Sequence, residues 1–161
     1  MSTVPWTPPS ARERLEILRR TKRVAIVGMS SKSARASYFV VTYLLADSDY
    51  ELSFVNPAET EILGRPVYPS LAALPEPPDL VDVFRRHDEL VNVTDEAVAA
   101  GARTLWLQLG LSHDEAAERA AAAGLDVVMN RCLKIEHARF HGGLHLAGFD
   151  TGVISSRRRL G

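Results

Sequence analysis

Short β-branched runs and helical stretches alternate along this sequence at spacings of roughly 20 to 30 residues. The first run is apolar after its initial arginine and ends in a glycine, which is typical of a strand buried on both faces of a sheet. Strands separated by helices are joined by crossover connections and therefore lie parallel. The runs are residues 23–28, 51–55, 80–84, 104–109 and 126–129, and the helical stretches are residues 37–46, 89–100 and 112–123.

The alternation predicts a three-layer α/β fold, in which helices cover both faces of a five-stranded parallel sheet. The connection after the second strand is the exception. It is rich in proline and contains only a short helical turn at residues 70–74.

Three segments differ in their patterns. Residues 1–22 contain a proline-rich arm and a short helix, whose start is marked by the capping-box pair Ser10 and Glu13. Residues 23–140 contain the alternating strands and helices. Residues 141–161 form a glycine-rich tail with a basic end, which we expect to be an ordered extension with a frayed terminus.

Composition and charge exclude several classes of protein. Nineteen basic residues against twenty acidic ones give a formal charge of −1, whereas proteins that bind nucleic acid normally carry a basic excess. No apolar run approaches the roughly 18 residues that span a bilayer, and the first residues lack the pattern of a signal peptide. A single cysteine, Cys132, permits no internal disulfide. We therefore expect a cytoplasmic protein that binds neither nucleic acid nor membranes.

The loop after the first strand has the residues of an anion site. Ligands of a parallel sheet bind beyond the carboxyl ends of its strands. Here Gly28 is followed by Ser30, Ser31, Lys32 and Arg35, and then by a helix. Small residues let a ligand approach the backbone, and the free amides of a helix start favour an anion, most often a phosphate. The alternative is a solvated loop that caps the helix.

Two common phosphate ligands are disfavoured by the residues at these strand ends. The loop has neither the GxxxxGK pattern of nucleoside-triphosphate sites nor the GxGxxG pattern of dinucleotide sites. The second strand ends in Asn56 and Pro57, where a nicotinamide-dependent protein usually has an acidic residue for the ribose. A nicotinamide-binding redox sensor remains an alternative, because an asparagine can accept a hydrogen bond.

Basic residues follow several other strands. The third strand ends in Val83 and Phe84, and two arginines come directly after it. A ligand with several phosphates would find an excess of cations on one rim of a nearly neutral protein, although surface arginines are also common. The cations expected on this rim are Lys32, Arg35, Arg85, Arg86, Arg131 and Lys134.

At these residues the sequence resembles the small stand-alone CoA-binding proteins of bacteria and archaea, which are related to the CoA-binding domain of the succinyl-CoA synthetase α subunit. The resemblance implies a Rossmann-like domain with strand order 3-2-1-4-5 that holds the ADP part of coenzyme A at the carboxyl edge. The segments that carry the resemblance are VAIVGMSSK (24–32), VNPAETEILGRPVYPSL (55–71), DLVDVFRR (79–86), LWLQLG (105–110) and VVMNRCLKIEH (127–137).

The resemblance also implies roles for individual residues. Gly28, Ser30 and Lys32 would lie along the pyrophosphate, and Asn56 and Pro57 would border the adenosine. In the same way, Val83 and Arg85 would line the adenine slot or its phosphates, and Gln108 and Gly110 would flank the exit of the pantetheine arm. The full set of expected binding residues is Gly28, Ser30, Ser31, Lys32, Arg35, Asn56, Pro57, Val83, Phe84, Arg85, Gln108 and Gly110.

No catalytic residues or metal ligands are expected. The synthetase α subunit needs a second domain with a phosphorylated histidine and also a β subunit, which do not fit within 161 residues. Cys132 is a candidate for a mixed disulfide with the CoA thiol, or simply a packed residue. His137, His141 and His145 recur every four residues, but glycines interrupt any helix there.

The expected function is binding of CoA or an acyl-CoA, as a carrier, sensor or regulator. The alternative from another class is half of an acyl-CoA synthetase or transferase that a partner subunit completes. The sequence leaves open a homo-oligomer or a partner protein of acyl-CoA metabolism.

Overall fold

The computed structural model describes residues 6–141 and contains one sheet with helices on both faces. Its strands are β1 (Arg23–Val27), β2 (Glu51–Val55), β3 (Glu61–Ile62), β4 (Arg65–Tyr68), β5 (Leu80–Val83), β6 (Thr104–Leu107) and β7 (Asp126–Val128). Its α-helices are α1 (Ala11–Arg20), α2 (Ala36–Asp47), α3 (Leu90–Ala99), α4 (Asp114–Ala122) and α5 (Leu133–His141). Single 3-10 turns lie at Leu71–Ala73 and His87–Glu89.

The strand order is β3-β4-β2-β1-β5-β6-β7, and every neighbouring pair is parallel except β3 with β4. The three-layer Rossmann-like α/β class is thus confirmed. The expected five strands are too few, since the sheet has seven within residues 6–141. The expected order 3-2-1-4-5 was also wrong for the strands it named, because the third of them, β5, pairs with β1 on the side away from β2.

The proline-rich connection explains this error. It contains β4, which pairs with β2. β4 therefore occupies the position beside β2 that the expected order assigns to the third strand. Pro66 has no amide hydrogen to donate to a neighbouring strand, so the sequence does not favour a strand here. It is accommodated because β4 lies near the edge of the sheet, covered only by the two residues of β3.

Each face of the sheet packs against its own set of helices. The buried side chains of α3 and α4 share one apolar cluster with strand residues such as Val27 and Val83. Those of α1, α2 and the first residue of α5 share the other cluster with strand residues such as Ile26 and Trp106. Because strand side chains alternate between faces, β1, β5 and β6 are buried on both sides and their sequences are almost wholly apolar.

A buried ion pair fixes the amino-terminal helix against the carboxyl-terminal one. Arg14 of α1 donates its Nε–H to Oε1 of Glu136 in α5 at 2.7 Å, and both side chains are almost fully buried. Arg14 also donates to the carbonyl of Pro9 at 3.0 Å. The expected capping box of Ser10 and Glu13 starts α1. The helix of the first segment therefore packs on the same subunit as the sheet.

Helix α5 was not anticipated from the sequence. The expected ordered extension at residues 141–161 lies outside the described residues, apart from the last residue of α5. Within residues 6–141, no helix has both the length and the apolar character needed to cross a bilayer.

One carboxyl group is buried in the middle of the sheet. Asp82 of β5 is fully buried between its register partners, Ile26 of β1 and Trp106 of β6. Within the part of the chain that the structure describes, neither of its oxygens has a hydrogen-bond partner. Burial raises the pKa of Asp82 well above its ordinary value, because the charged form is poorly solvated there.

Replacing Asp82 should therefore stabilise the fold. Asp82→Leu keeps the number and branching of the side-chain heavy atoms and removes an unsatisfied polar group, so we expect its free energy of unfolding near pH 8 to exceed that of the wild type by about 1–3 kcal/mol. Urea denaturation near pH 8 measures the difference. A less stable leucine variant would show that the carboxyl group makes a favourable interaction in the folded protein.

The pH dependence provides a second test of Asp82. The folded protein keeps this proton at pH values where the unfolded chain, with an ordinary carboxyl pKa of about 4, releases it. The wild-type free energy of unfolding should therefore fall as pH rises from about 4 towards the raised pKa of Asp82, and then stay low. In Asp82→Asn this contribution to the fall should be absent, which denaturation across a series of pH values can measure.

Candidate ligand-binding site

A cavity of about 550 Å³ opens at the carboxyl edge of the sheet. Helix α2 follows β1 onto one face, and α3 follows β5 onto the other, so the edge between β1 and β5 is left uncovered. This is the position where ligands of open parallel sheets bind. Seven of the residues expected from the sequence line the cavity: Gly28, Ser30, Arg35, Asn56, Phe84, Arg85 and Gln108.

The other five expected residues do not line the cavity. Ser31 and Lys32 lie in the same loop as Ser30 but are exposed, and Pro57 is exposed beside Asn56. Val83 is fully buried in the cluster on the α3 and α4 side of the sheet, so its side chain points into the core. Gly110 is exposed, and its N–H donates to Oδ1 of Asn130 at 2.7 Å.

Gly28 allows the ends of β1 and β5 to approach each other closely. Its φ is +89°, and a Cβ placed on it would lie 2.4 Å from the carbonyl oxygen of Phe84 and 3.0 Å from Cδ of Arg85. A side chain at this position would therefore meet rigid backbone as well as a strained conformation. The floor of the cavity requires a glycine here.

The loop after β1 bonds its own backbone amides. The N–H of Ser30 donates to Oγ of Ser37 at 3.0 Å, and the N–H of Lys32 donates to Oγ of Ser30 at 3.1 Å. The N–H of Ser31 donates to Oε2 of Glu59 at 3.1 Å. The two hydrogen bonds to serine hydroxyls order the loop. The Glu59 carboxylate accepts from the Ser31 amide, which is one of the donors that could otherwise bind a phosphate.

The amide side chains at the edge also serve the fold. Asn56 donates from Nδ2 to the carbonyl of Met29 at 2.8 Å and accepts at Oδ1 from the N–H of Ala58 at 2.8 Å, which ties the loop after β2 to the loop after β1. Gln108 accepts at Oε1 from the N–H of Leu133 at 3.1 Å and so caps α5. Both residues line the cavity; both polar atoms of the Asn56 side chain are engaged, and Oε1 of Gln108 is engaged.

The expected group of cations is only partly assembled. Arg35 and Arg85 line the cavity. Arg85 is half-buried and donates to Oε1 of Glu89 at 2.6 Å, and the exposed Arg86 lies 3.3 Å from Oε2 of the same carboxylate. Within residues 6–141, Arg35 forms no ion pair, so it is a charged group directed to the cavity without an internal counterion.

The remaining cations of that group are engaged elsewhere. Arg131 lies 3.4 Å from the buried carboxylate of Glu136, and the ammonium of Lys134 lies 4.1 Å above the centre of the Phe39 ring. Lys32 is exposed and forms no ion pair in the described part of the chain. The sequence placed these residues near one edge but could not show which carboxylates neutralise them.

Sequence reasoning missed half of the cavity wall. Two of the missed residues, Ala36 and Ser37, begin α2, where small side chains leave room beside the helix start. Phe39 and Val40 lie in α2, and Leu109 and Leu111 follow β6, and apolar side chains at such positions are not a specific signal on their own. The unanticipated lining residues are Ala36, Ser37, Phe39, Val40, Leu109 and Leu111, together with Cys132, which had been considered only for its thiol chemistry.

Of the three histidines in the repeating pattern, only His137 has a described side chain, and it does not line the cavity. His137 is buried on α5, and its Nδ1 lies 2.9 Å from the hydroxyl of Tyr43. Burial raises the pKa of that tyrosine, with a smaller contribution from Asp47. His145 lies outside the described residues.

Comparison with known proteins identifies the family. A Rossmann-like sheet with a loop of small residues and an arginine at its carboxyl edge is typical of proteins that bind nucleotides. Residues 22–138 match the family described as the CoA binding domain, and the chain belongs to this family.

Two relatives show how widely this small form occurs. The protein YneT of Bacillus subtilis is 39% identical over 130 residues, which are 81% of this chain and 96% of YneT. A hypothetical protein from Pyrococcus horikoshii is 36% identical in a solved structure with a TM-score of 0.81, which covers 88% of this chain and 99% of that one. Both relatives are matched over nearly their whole length.

The same fold also occurs as part of a larger protein. Part of the acetyl-coenzyme A synthetase 1 of Ca. Korarchaeum cryptofilum superimposes with a TM-score of 0.63, at 21% identity, over 72% of this chain and 28% of that one. At this level of identity the comparison shows a shared fold.

Gly28→Ala tests the close approach of β1 and β5. The variant must accommodate both a left-handed φ and the contact with the carbonyl of Phe84. An unfavourable φ alone costs about 1–2 kcal/mol, so we expect a larger loss in the free energy of unfolding. Gly101→Ala is the matched control, because Gly101 has a φ of +83° and open space around an added Cβ. Equal losses in urea denaturation would contradict the inferred contact.

Proposed function

We propose that the protein binds coenzyme A or an acyl-CoA, and that the ADP part of this ligand lies at the carboxyl edge between β1 and β5. The supporting observation is the cavity at this edge, in a chain that belongs to the CoA binding domain family. Gly28 forms the floor of this cavity, and Arg35 lines it without an ion-pair partner among the described residues. The proposed roles are those of a carrier, sensor or regulator.

The donor set suits a pyrophosphate. Gly28 lacks a Cβ, so a phosphate can approach the backbone of the loop closely. Ser30 and Arg35 face the cavity and can donate to phosphate oxygens, and α2 starts directly after Arg35 with its positive dipole end. Ser31 and Lys32 are exposed in the same loop, where Lys32 can add charge and Ser31 a hydroxyl donor, with less direct contact.

The residues on either side suit the remaining parts of the ligand. Asn56 and Pro57 follow β2 and can border the adenosine, mainly by shape, because both polar groups of the Asn56 side chain are engaged. Phe84 and Arg85 follow β5 and can contact the base or a further phosphate. Gln108 of the neighbouring β6 end marks the direction in which a pantetheine arm can leave.

Calorimetric titration compares the relevant ligands directly. We expect heat and saturation with CoA, weaker binding of 3′-dephospho-CoA because it lacks one phosphate, and little or no binding of NADH or ATP. Thermal unfolding should show the matching stabilisation, since a ligand that binds only the folded state raises its apparent stability. Binding of NADH without binding of CoA would replace this proposal with the nicotinamide alternative.

Arg35→Ala tests the pyrophosphate contact. A charge-assisted hydrogen bond contributes about 1.5–3 kcal/mol, so we expect CoA affinity to fall by about 10- to 100-fold, with little change in the stability of the free protein. Arg119→Ala is the control, because Arg119 is an exposed arginine of α4 paired with Asp95 and Glu115 rather than a cavity residue. Unchanged CoA affinity in Arg35→Ala would place the phosphates elsewhere.

Glu59→Gln tests whether a phosphate competes with the internal carboxylate. Glu59 occupies the N–H of Ser31 and carries the same sign of charge as the ligand, so its neutralisation should raise CoA affinity by about two- to ten-fold. Glu61→Gln is the control, because Glu61 is the exposed residue of β3 and does not line the cavity. Calorimetry at two salt concentrations measures both variants. Weaker binding by Glu59→Gln would mean that the carboxylate supports the loop without opposing the phosphate.

A further inference from the structure

The outer face of α2 has no charged side chain. Residues 36–46 contain neither acidic nor basic residues, and Phe39, Thr42 and Leu45, each one turn after the last, are all exposed. The Thr42 hydroxyl donates to the carbonyl of Phe39 at 3.0 Å, so it is already engaged. A helix that covers a sheet ordinarily has charged and polar residues on its solvent side.

Three other helices do have charged residues on their outer faces, which makes α2 unusual within this fold. Phe39 is 62% exposed and Leu45 is 36% exposed. Single exposed apolar residues are ordinary, but a whole uncharged helix face is typical of a surface that another segment covers. The exposed charged residues of the other helices include Glu16 and Arg19 in α1, Asp95 and Glu96 in α3, and Glu115 and Arg119 in α4.

Helix α5 lies beside α2 and extends this surface. The Lys134 ammonium lies 4.1 Å above the Phe39 ring, and one turn later in both helices Nδ1 of His137 lies 2.9 Å from the Tyr43 hydroxyl. The two helices therefore run side by side in the same direction. Ile135 of α5 is 51% exposed. We call this surface the α2–α5 face, and its exposed residues are Phe39, Thr42, Leu45, Ala46, Ile135 and Ala138.

The chain that follows α5 starts near one end of the α2–α5 face. Because the helices run in the same direction, the end of α5 at His141 lies towards the end of α2. Residues 142–161 follow it, and we call them the tail segment. The helix rises roughly 9 Å between Phe39 and Leu45 at about 1.5 Å per residue, and about three extended residues span that distance. The tail segment is therefore long enough to cover the face.

The sequence of the tail segment suits an apolar surface. It begins with two glycines at 142–143, and glycine after a helix end allows the chain to turn back. Leu144, Leu146 and Phe149 follow within eight residues of the end of α5. These side chains reach the face before the basic end of the chain begins.

The charges match as well. Lys134 lies at the Phe39 end of the face and forms no ion pair within residues 6–141. The tail segment contains a single acidic residue, Asp150, which comes directly after Phe149. A chain that runs back along α2 from its end places its apolar residues first and this carboxylate last, at the ammonium.

We propose that residues 144–150 dock on the α2–α5 face of the same chain, where their apolar side chains cover Leu45 and Phe39 and Asp150 pairs with Lys134. Docking completes the helical layer on this side of the sheet. Because Phe39 also lines the cavity, the docked segment lies beside the candidate ligand site. The proposal requires no bound ligand and is independent of the proposed function.

Hydrogen exchange of the full chain, followed by mass spectrometry, tests docking. Amides of residues 142–152 should exchange at least about ten-fold more slowly than those of an unfolded reference. Phe39→Ser and Leu45→Ser change exposed side chains, so the fold should be retained, and each should speed this exchange by at least about three-fold. Leu63→Ser is the control, because Leu63 is an exposed leucine in the turn between β3 and β4.

Asp150→Asn tests the ion pair in the same experiment. An exposed ion pair contributes little, so we expect the exchange of residues 142–152 to become about two- to five-fold faster. In a Lys134→Gln chain the same substitution should have almost no further effect. Equal effects of Asp150→Asn in both chains would mean that Lys134 is not its partner.

Disulfide trapping shows which chain supplies the segment. In a Cys132→Ser chain, Leu45→Cys with Leu146→Cys should form a disulfide in diamide at least about ten-fold faster than Ala121→Cys with Leu146→Cys, because docking raises the local concentration of the paired thiols. Ala121 is an exposed residue of α4, on the other side of the sheet. A non-reducing gel separates links within one chain from links between two.

Each of the other outcomes overturns the proposal. Unprotected amides at residues 142–152, or protection that both face variants leave unchanged, would show that the tail segment does not dock on the α2–α5 face. Links found only between chains would assign the face to a second copy. None of these results depends on CoA, so this inference and the proposed function can fail separately.

Discussion

The close approach of β1 and β5 is the constraint on which the site depends. β1 pairs in parallel with β2 on one side and β5 on the other, and its end lies against the backbone of Phe84 because Gly28 has no side chain. The helices that follow these two strands cover opposite faces of the sheet. One cavity at their shared edge can therefore be reached from the loops after β1, β2, β5 and β6.

Much of the fold could be predicted from the sequence because its physical signals are local. The apolar runs of β1, β5 and β6 and the helices between them follow from periodicity and burial. The order of the strands could not be predicted in the same way, because it depends on β4. This strand contains a proline, which is a signal against a strand, and it is stabilised by pairing with β2. Helix α5 was missed for a similar reason, since its first amide is capped by Gln108 from a distant strand end.

The site was predictable to the level of an edge but not of individual contacts. The sequence places Gly28, Ser30 and Arg35 after β1, and topology brings them to the cavity. It could not show that the Val83 side chain packs into the apolar cluster beside α3 and α4 rather than lining the cavity. A strand buried on both faces lacks the alternation of apolar and polar residues that shows which way each side chain points. Nor could it show that Glu59 bonds the loop amide, since that contact joins residues far apart in the chain.

The buried pair of Arg14 and Glu136 makes the family-matched part of the chain dependent on residues that precede it. The match begins at residue 22, after α1 ends. A truncated chain starting there would lack the buried guanidinium that bonds Glu136 at 2.7 Å, and would leave this carboxylate, only 2% exposed, with the longer ion pairs to Arg131 and Arg139. It would also uncover the apolar surface beneath Ile17 and Leu18. The shortest unit of this protein that folds well should therefore be longer than the domain by which its family is recognised.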